Sequence, residues 1–109
     1  MAGTVSCTQC LIRGAIAFFA LIAFPLCAFA ADAAKGEIIA KRWCAACHLV
    51  SPDQTQANSD APSFTAIAKK KSSKALTGFL TDPHPKMPDM SLTRGEIADI
   101  VAYIGTLDQ

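Results

Sequence analysis

The residues best suited to chemistry stand together in the segment Cys44-Ala45-Ala46-Cys47-His48. Two thiols at this spacing can add across the two vinyl groups of one haem, while the histidine that follows directly can bind the haem iron. The segment therefore predicts one covalent haem c, with Cys44 and Cys47 as its attachment sites and His48 as an axial ligand of the iron.

Two other uses of a cysteine pair agree less well with the sequence. A redox-active dithiol has the same spacing but usually follows a strand at the start of a helix, whereas this pair closes a predicted helix. A zinc site needs four ligands, and after residue 30 the chain has only one further histidine, His84, and no further cysteine. Haem attachment is the favoured interpretation.

An electron carrier also needs a second strong axial ligand, and pairing methionine with histidine raises the reduction potential of c-type haems. The candidates are Met87, Met90 and His84, in or beside a proline-rich segment. Met87 is favoured, because Pro85 and Pro88 restrict the backbone around it and leave little entropy to lose when the thioether is held at the iron. Met90 precedes the last predicted helix, where filling the core is the simpler role.

Residues 1–30 differ from the rest of the chain in composition. A single basic residue, Arg13, precedes an uncharged run with an apolar centre, which ends in Ala28-Phe29-Ala30. This layout predicts a secretory signal peptide cleaved after Ala30, and hence a periplasmic bacterial protein with its mature domain at residues 31–109. The alternative is a retained membrane anchor, since about 18 apolar residues come close to spanning a bilayer. Contact with a membrane is expected only in that case.

Cleavage would also change how the remaining composition is interpreted. Cys7, Cys10 and Cys27 would leave with the signal, so no disulfide framework is predicted for the mature domain. The mature charges balance at nine basic and nine acidic residues, which argues against a nucleic-acid partner. A domain of this size buries a modest share of its surface, so we expect a cofactor to complete its core.

The elements predicted around the haem motif are all helical. Asp32 caps a helix from about Ala33 to Cys47. The small and apolar residues on one face of this helix are Gly36, Ile39, Ala40 and Trp43. Short helices are predicted at 64–71 and 73–81, and irregular segments at 51–60 and 82–89, the latter because of its prolines. No segment alternates as a half-buried strand would, so the fold class is all-α.

The last helix has the strongest sequence signals. Thr93-Arg94-Gly95-Glu96 has the form of a capping box. Leu92 and Ile97, on either side of the cap, can pack against each other as a hydrophobic staple. An apolar stripe follows at helical spacing, made of Ile97, Ile100, Val101, Ile104 and Leu107. A second apolar set can surround a flat cofactor or simply pack in the core; it consists of Trp43, Phe64, Ile67, Leu76, Phe79 and Leu80.

These features resemble a class I cytochrome c of the short bacterial type, over essentially all of residues 31–109. The matching features are the attachment motif at the end of the first helix, the strip Ala61-Pro62-Ser63-Phe64, a late Met-Pro pair, and a closing helix that ends Val101-Ala102-Tyr103-Ile104. The resemblance implies the small class I cytochrome c fold, in which the N- and C-terminal helices cross and short helices and loops surround one haem.

Site residues are also implied by the resemblance. His48 would be the proximal ligand and Met87 the distal one, and the carbonyl of Pro62 would accept the other ring proton of His48. Phe64 belongs to the same haem-binding strip. In the family the first and last helices cross at a glycine and an aromatic residue, and the resemblance implies that these are Gly36 and Tyr103. The sequence departs from the family between His48 and Pro62, where it is polar and lacks glycine.

The predicted function is one-electron transfer rather than enzymatic catalysis, by a monomer that meets a dehydrogenase, an oxidase or a reductase as its redox partner. The alternatives are a haem subunit or domain that feeds electrons to a larger redox enzyme, a peroxidase-like haem, and a gas-binding sensor. The lysines Lys69, Lys70, Lys71 and Lys74, here called the lysine cluster, either dock to an acidic patch on that partner or form a solvated helix face.

Overall fold

Four helices separated by irregular segments make up residues 30–83 and 85–109, the part of the chain described by a computed structural model. They are α1 (Ala33–Trp43), α2 (Phe64–Lys70), α3 (Ser73–Thr81) and α4 (Arg94–Gly105). No strand occurs in these residues, and the all-α prediction is confirmed. None of their helices has the length and apolarity needed to cross a membrane. The predicted signal peptide, with its three cysteines, and His84 lie outside the described residues.

Side chains cap the start of every helix described. The Asp32 carboxylate accepts hydrogen bonds from two backbone N–H groups of α1, as predicted. Ser63 and Ser72 cap α2 and α3 in the same way. The predicted capping box of α4 is present, with Thr93 and Glu96 each accepting from the other's backbone N–H. The bonds from Thr93, led by its backbone N–H, hold the pKa of Glu96 below its ordinary value.

The first helix is shorter than predicted, because it ends at Trp43 rather than Cys47. A continued helix would direct the N–H of Cys47 to the carbonyl of Trp43. Instead, the N–H groups of Cys47 and His48 both donate to the carbonyl of Cys44, at 3.1 and 2.9 Å. The haem motif is therefore a tight turn directly after α1, in which Cys44 is buried and Cys47 is exposed.

Helix α1 packs chiefly against α4, as the resemblance implied, and the two backbones come very close at Gly36. A Cβ atom on Gly36 would overlap the carbonyl of Asp99 and crowd the backbone nitrogen of Ile100. The backbone N–H of Asp32 also donates to the Asp99 carboxylate, at 2.7 Å. Tyr103 lies one turn further along α4 and is buried. Only glycine allows the helices this separation.

The core lies between α4 and the elements packed on it. Helix α4 supplies half of the buried apolar residues, namely Ile97, Ile100, Val101, Tyr103 and Ile104, and the others are Ala40, Cys44, Val50, Phe64 and Leu76. Leu92 and Leu107 pack against this core from the ends of α4, in agreement with the predicted stripe. Trp43 does not pack in this core: the residue is 53% exposed, and its ring lies under the guanidinium of Arg42.

The glycine at the crossing generates a prediction about stability. Gly36→Ala should lower the free energy of unfolding by about 1–3 kcal/mol or more, because the added methyl group overlaps backbone that cannot rotate away. Gly78→Ala is the matched control, since a Cβ at this helical position meets no atom within 4 Å and φ is not positive. It should raise the free energy of unfolding by about 0.5–1 kcal/mol. Urea unfolding of both variants measures the difference, and equal effects would contradict the close crossing.

Candidate functional site

An apolar cavity of about 620 Å³ opens beside the haem motif. Its volume lies within the roughly 300–1,000 Å³ range of small-molecule and cofactor sites. Of the six apolar residues predicted to surround a cofactor, five line it: Phe64, Ile67, Leu76, Phe79 and Leu80. Trp43 does not. Both cysteines and the histidine of the motif also line the cavity, so the residues for covalent attachment and for iron binding face one apolar space of suitable size.

The imidazole of His48 is held on two sides. Its Nδ1 lies 2.7 Å from the carbonyl oxygen of Pro62, the hydrogen bond that the resemblance implied. A carbonyl can only accept, so Nδ1 carries the proton and Nε2 is left as the atom that can bind a metal. The ring of Phe64 packs against the imidazole at a centroid distance of 5.6 Å and a tilt of 56°. An acceptor such as this carbonyl fixes the orientation of a histidine ligand and raises its basicity, while the phenyl ring limits its rotation.

The two cysteines differ in environment. Cys44 is buried and Cys47 is exposed, and neither forms a disulfide. Burial, and to a lesser degree the neighbouring Cys47, raises the pKa of the Cys44 thiol to about 11. Cys44 is therefore a neutral thiol at neutral pH, which suits a position facing an apolar cavity. Both sulfurs are free to form thioether bonds.

The polar segment after the motif has a role that the sequence did not indicate. Every backbone carbonyl from residue 45 to 48 accepts a hydrogen bond from residues 54–59. The Gln54 side chain donates to the first and last of these carbonyls. The backbone N–H of Asn58 and the hydroxyl of Ser59 donate to the carbonyls of Ala46 and Cys47, at 2.8 and 3.0 Å. The Gln, Asn and Ser content predicted an irregular loop, but it could not show which side chains turn towards the motif.

The proline-rich segment brings Met87 to the main cavity, where its partly buried side chain shares the lining with His48. Met90 does not line that cavity. It borders a smaller one of about 30 Å³, whose lining also contains Trp43, Cys44, Cys47, His48, Met87 and Pro88, so that Met87 borders both cavities and Met90 only the smaller. His84, the third candidate ligand, lies outside the described residues.

The lysine cluster reaches the cavity through one of its members, Lys71. Lys69 and Lys70 end α2, Lys71 is its C-cap residue, and Lys74 lies in the first turn of α3. All four are exposed. Lys71 also lines the cavity, with its ammonium 5.1 Å from the centroid of the Phe79 ring. Lys71 therefore brings positive charge to the lining of the cavity.

An all-helical domain with a Cys-x-x-Cys-His turn on an apolar cavity of cofactor size defines a c-type cytochrome. Residues 31–104 match the sequence profile of the family described as cytochrome c oxidase, cbb3-type, subunit III. The chain is also similar to cytochrome c-552 of Bradyrhizobium diazoefficiens, with 48% identity over 98 residues that cover 88% of this chain and 94% of the relative. No solved structure matches the chain significantly.

The chain belongs to the cytochrome c family, with a domain like subunit III of the cbb3-type oxidases. It carries haem c attached covalently through Cys44 and Cys47, and it is an electron-transfer protein rather than an enzyme. As an electron carrier it exchanges electrons with redox partner proteins.

Proposed function

We propose that this protein is a periplasmic one-electron carrier whose haem iron is bound by His48 and Met87. The observation that carries the proposal is the common cavity, which His48 and Met87 line together with both attachment cysteines. A haem bound there would supply an iron that gains and loses one electron, and His48 and Met87 would hold it. Pro62 and Phe64 complete the binding site.

His48 contributes a ligand whose position is set before the iron is bound. The bond from Nδ1 to the Pro62 carbonyl selects the tautomer with a free Nε2, and Phe64 limits rotation of the ring. An imidazole held in this way does not need to reorient when the iron changes its oxidation state.

Met87 contributes a neutral thioether from a restricted segment. Pro85 and Pro88 limit the backbone angles around it, and the side chain lies against an apolar lining. Because a thioether and an apolar surround both disfavour the more highly charged oxidised iron, the pair His48 and Met87 is expected to raise the reduction potential.

The family comparison favours one alternative. Since the matching profile describes an oxidase subunit, the same site can deliver electrons as the haem subunit or domain of a larger redox enzyme. A gas-binding sensor is less well supported, because Met87 lies at the cavity where a sensor would leave the iron open. The peroxidase-like alternative would need a distal acid and base, and with His48 committed as a ligand only His84 could serve.

Export and processing form part of the proposal. Residues 31–109 form one compact unit, and the family match begins at residue 31, where the predicted mature chain begins. Protein isolated from the periplasm should have a denatured mass equal to residues 31–109 plus one haem. A Cys44→Ala/Cys47→Ala variant is the control and should lack the added mass. A bare polypeptide mass with haem extractable by acidified solvent would contradict attachment, and haem on the full chain in the membrane would indicate the anchor.

Ligand substitution tests the distal assignment. Met87→Ala should abolish the weak sulfur-to-iron band of the oxidised protein, lower the reduction potential and open the iron to imidazole or carbon monoxide. Met90→Ala is the matched control. It should keep the band and, since its side chain is only partly buried, cost about 1 kcal/mol of stability, less than the roughly 2–5 kcal/mol of a fully buried methionine. Loss of the band in Met90→Ala alone would reverse the assignment, and its retention in both variants would exclude a single methionine ligand from this segment.

Removing positive charge from the lysine cluster tests whether it forms the surface that binds the redox partner. Replacing Lys69, Lys70 and Lys71 with Gln should slow electron exchange with an acidic redox partner at low salt and have little effect at high salt, where exposed charges are screened. The control replaces Lys35 and Lys41, which lie on α1 and do not line the cavity. Rates from stopped-flow absorbance give the comparison. Equal slowing at both salt concentrations would show that the cluster does not act by steering.

A further inference from the structure

The side chain of Gln54 makes four hydrogen bonds at the haem motif. Its Oε1 accepts from the backbone N–H of Val50 at 3.0 Å. Its Nε2 donates to the carbonyls of Ala45, His48 and Gln56, at 2.9, 3.1 and 2.8 Å. Two hydrogens are shared among three acceptors, so every polar atom of the amide is used.

The surroundings allow only one orientation of this amide. Turning it round would place Oε1 against carbonyl oxygens and Nε2 against the Val50 N–H, so that acceptor would face acceptor and donor would face donor. A carboxylate of the same shape would keep the bond from Val50 but would have no hydrogen to donate. The substitution Gln54→Glu therefore removes the bonds that the side chain donates and keeps the bond that it accepts from Val50.

Gln54 connects the haem motif to the core. Among the described residues, it is the one whose side chain bonds to the backbone on both sides of Cys47, at Ala45 and at His48. On its other side it holds Val50, which is almost fully buried and whose carbonyl accepts from the Tyr103 hydroxyl at 2.8 Å. A continuous path of hydrogen bonds thus runs from α4 to the backbone of the axial histidine.

His48 is consequently fixed at three points. Its N–H donates to the Cys44 carbonyl, its Nδ1 donates to the Pro62 carbonyl, and its own carbonyl accepts from Gln54. The backbone N–H of Phe64 donates to the carbonyl of the next residue, Leu49, at 2.9 Å, and the bond from Gln54 holds the peptide that joins His48 to Leu49.

We infer that Gln54 is a positioning residue for the haem, because it fixes the backbone between Ala45 and His48 and thereby sets the orientation of the His48 imidazole. The inference rests on the proposed role of His48 as an axial ligand. It assigns a function to the glycine-free polar segment in which the sequence departs from its family.

The experiment uses the haem-loaded protein and the variants Gln54→Glu and Gln54→Ala. The matched controls are Gln56→Glu and Gln56→Ala, since Gln56 is exposed and gives only its backbone carbonyl to the network. The main measurement is the proton NMR spectrum of the oxidised protein, in which the pattern of shifted haem methyl signals depends on the plane of the axial imidazole. Both Gln54 variants should change this pattern, and both Gln56 variants should preserve it.

Hydrogen exchange at Val50 supplies a second measurement on the same samples. Gln54→Ala should accelerate exchange of this amide on the order of tenfold, the effect of one lost hydrogen bond, whereas Gln54→Glu should keep it protected because the carboxylate still accepts. If Gln54→Ala does not retain haem, Gln54→Glu alone decides.

The outcomes separate this inference from the proposed function. A Gln54→Glu protein that is loaded with haem and less stable, yet has the methyl pattern of the wild type, would show that Gln54 is only structural and would overturn the inference alone. A wild-type protein in which His48 does not bind the iron would overturn the proposed function as well. A changed methyl pattern in the Gln54 variants, with unchanged controls, would support positioning.

Discussion

The structure depends on the close approach of α1 and α4 at Gly36. The missing Cβ lets the backbone of α1 lie directly on Asp99 and Ile100. Because the haem motif is the turn that immediately follows α1, the position of this crossing determines where the motif meets the core. Cys44 becomes buried against α4, while Cys47 stays at the surface.

Hydrogen bonds to the backbone, rather than further secondary structure, hold the haem motif. A helix would have satisfied the carbonyls of residues 45–48 internally, but α1 stops before them. Polar groups from residues 54–59 take over this task, and the Pro62 carbonyl orients the histidine ring. A half-buried carbonyl without a donor is costly, so the bonds from Gln54 to the carbonyls of Ala45 and His48 stabilise the site as well as shaping it. Rigidity of this kind suits electron transfer, in which the ligands should not move.

Apolar and charged surfaces meet at the cavity. Its lining is largely aliphatic and aromatic, which suits the body of a haem. A haem packed against it would add buried apolar surface to the small core of a short domain. Lys71 belongs both to this lining and to the lysine cluster, so positive charge and apolar surface meet at the cavity. Trp43, which the structure leaves exposed, borders the same region through the smaller cavity next to Met87.

Local patterns in the sequence determined the helix caps, the apolar stripe of α4 and the identity of the attachment residues. Each of these depends on neighbours a few positions away, such as Thr93 with Glu96 or Cys44 with Cys47. Only the tertiary structure decided where α1 ends and which polar side chain supports the haem motif. These features depend on packing and on hydrogen bonds between segments, such as the path from α4 through Val50 to Gln54, and no periodicity or spacing in the sequence encodes such contacts.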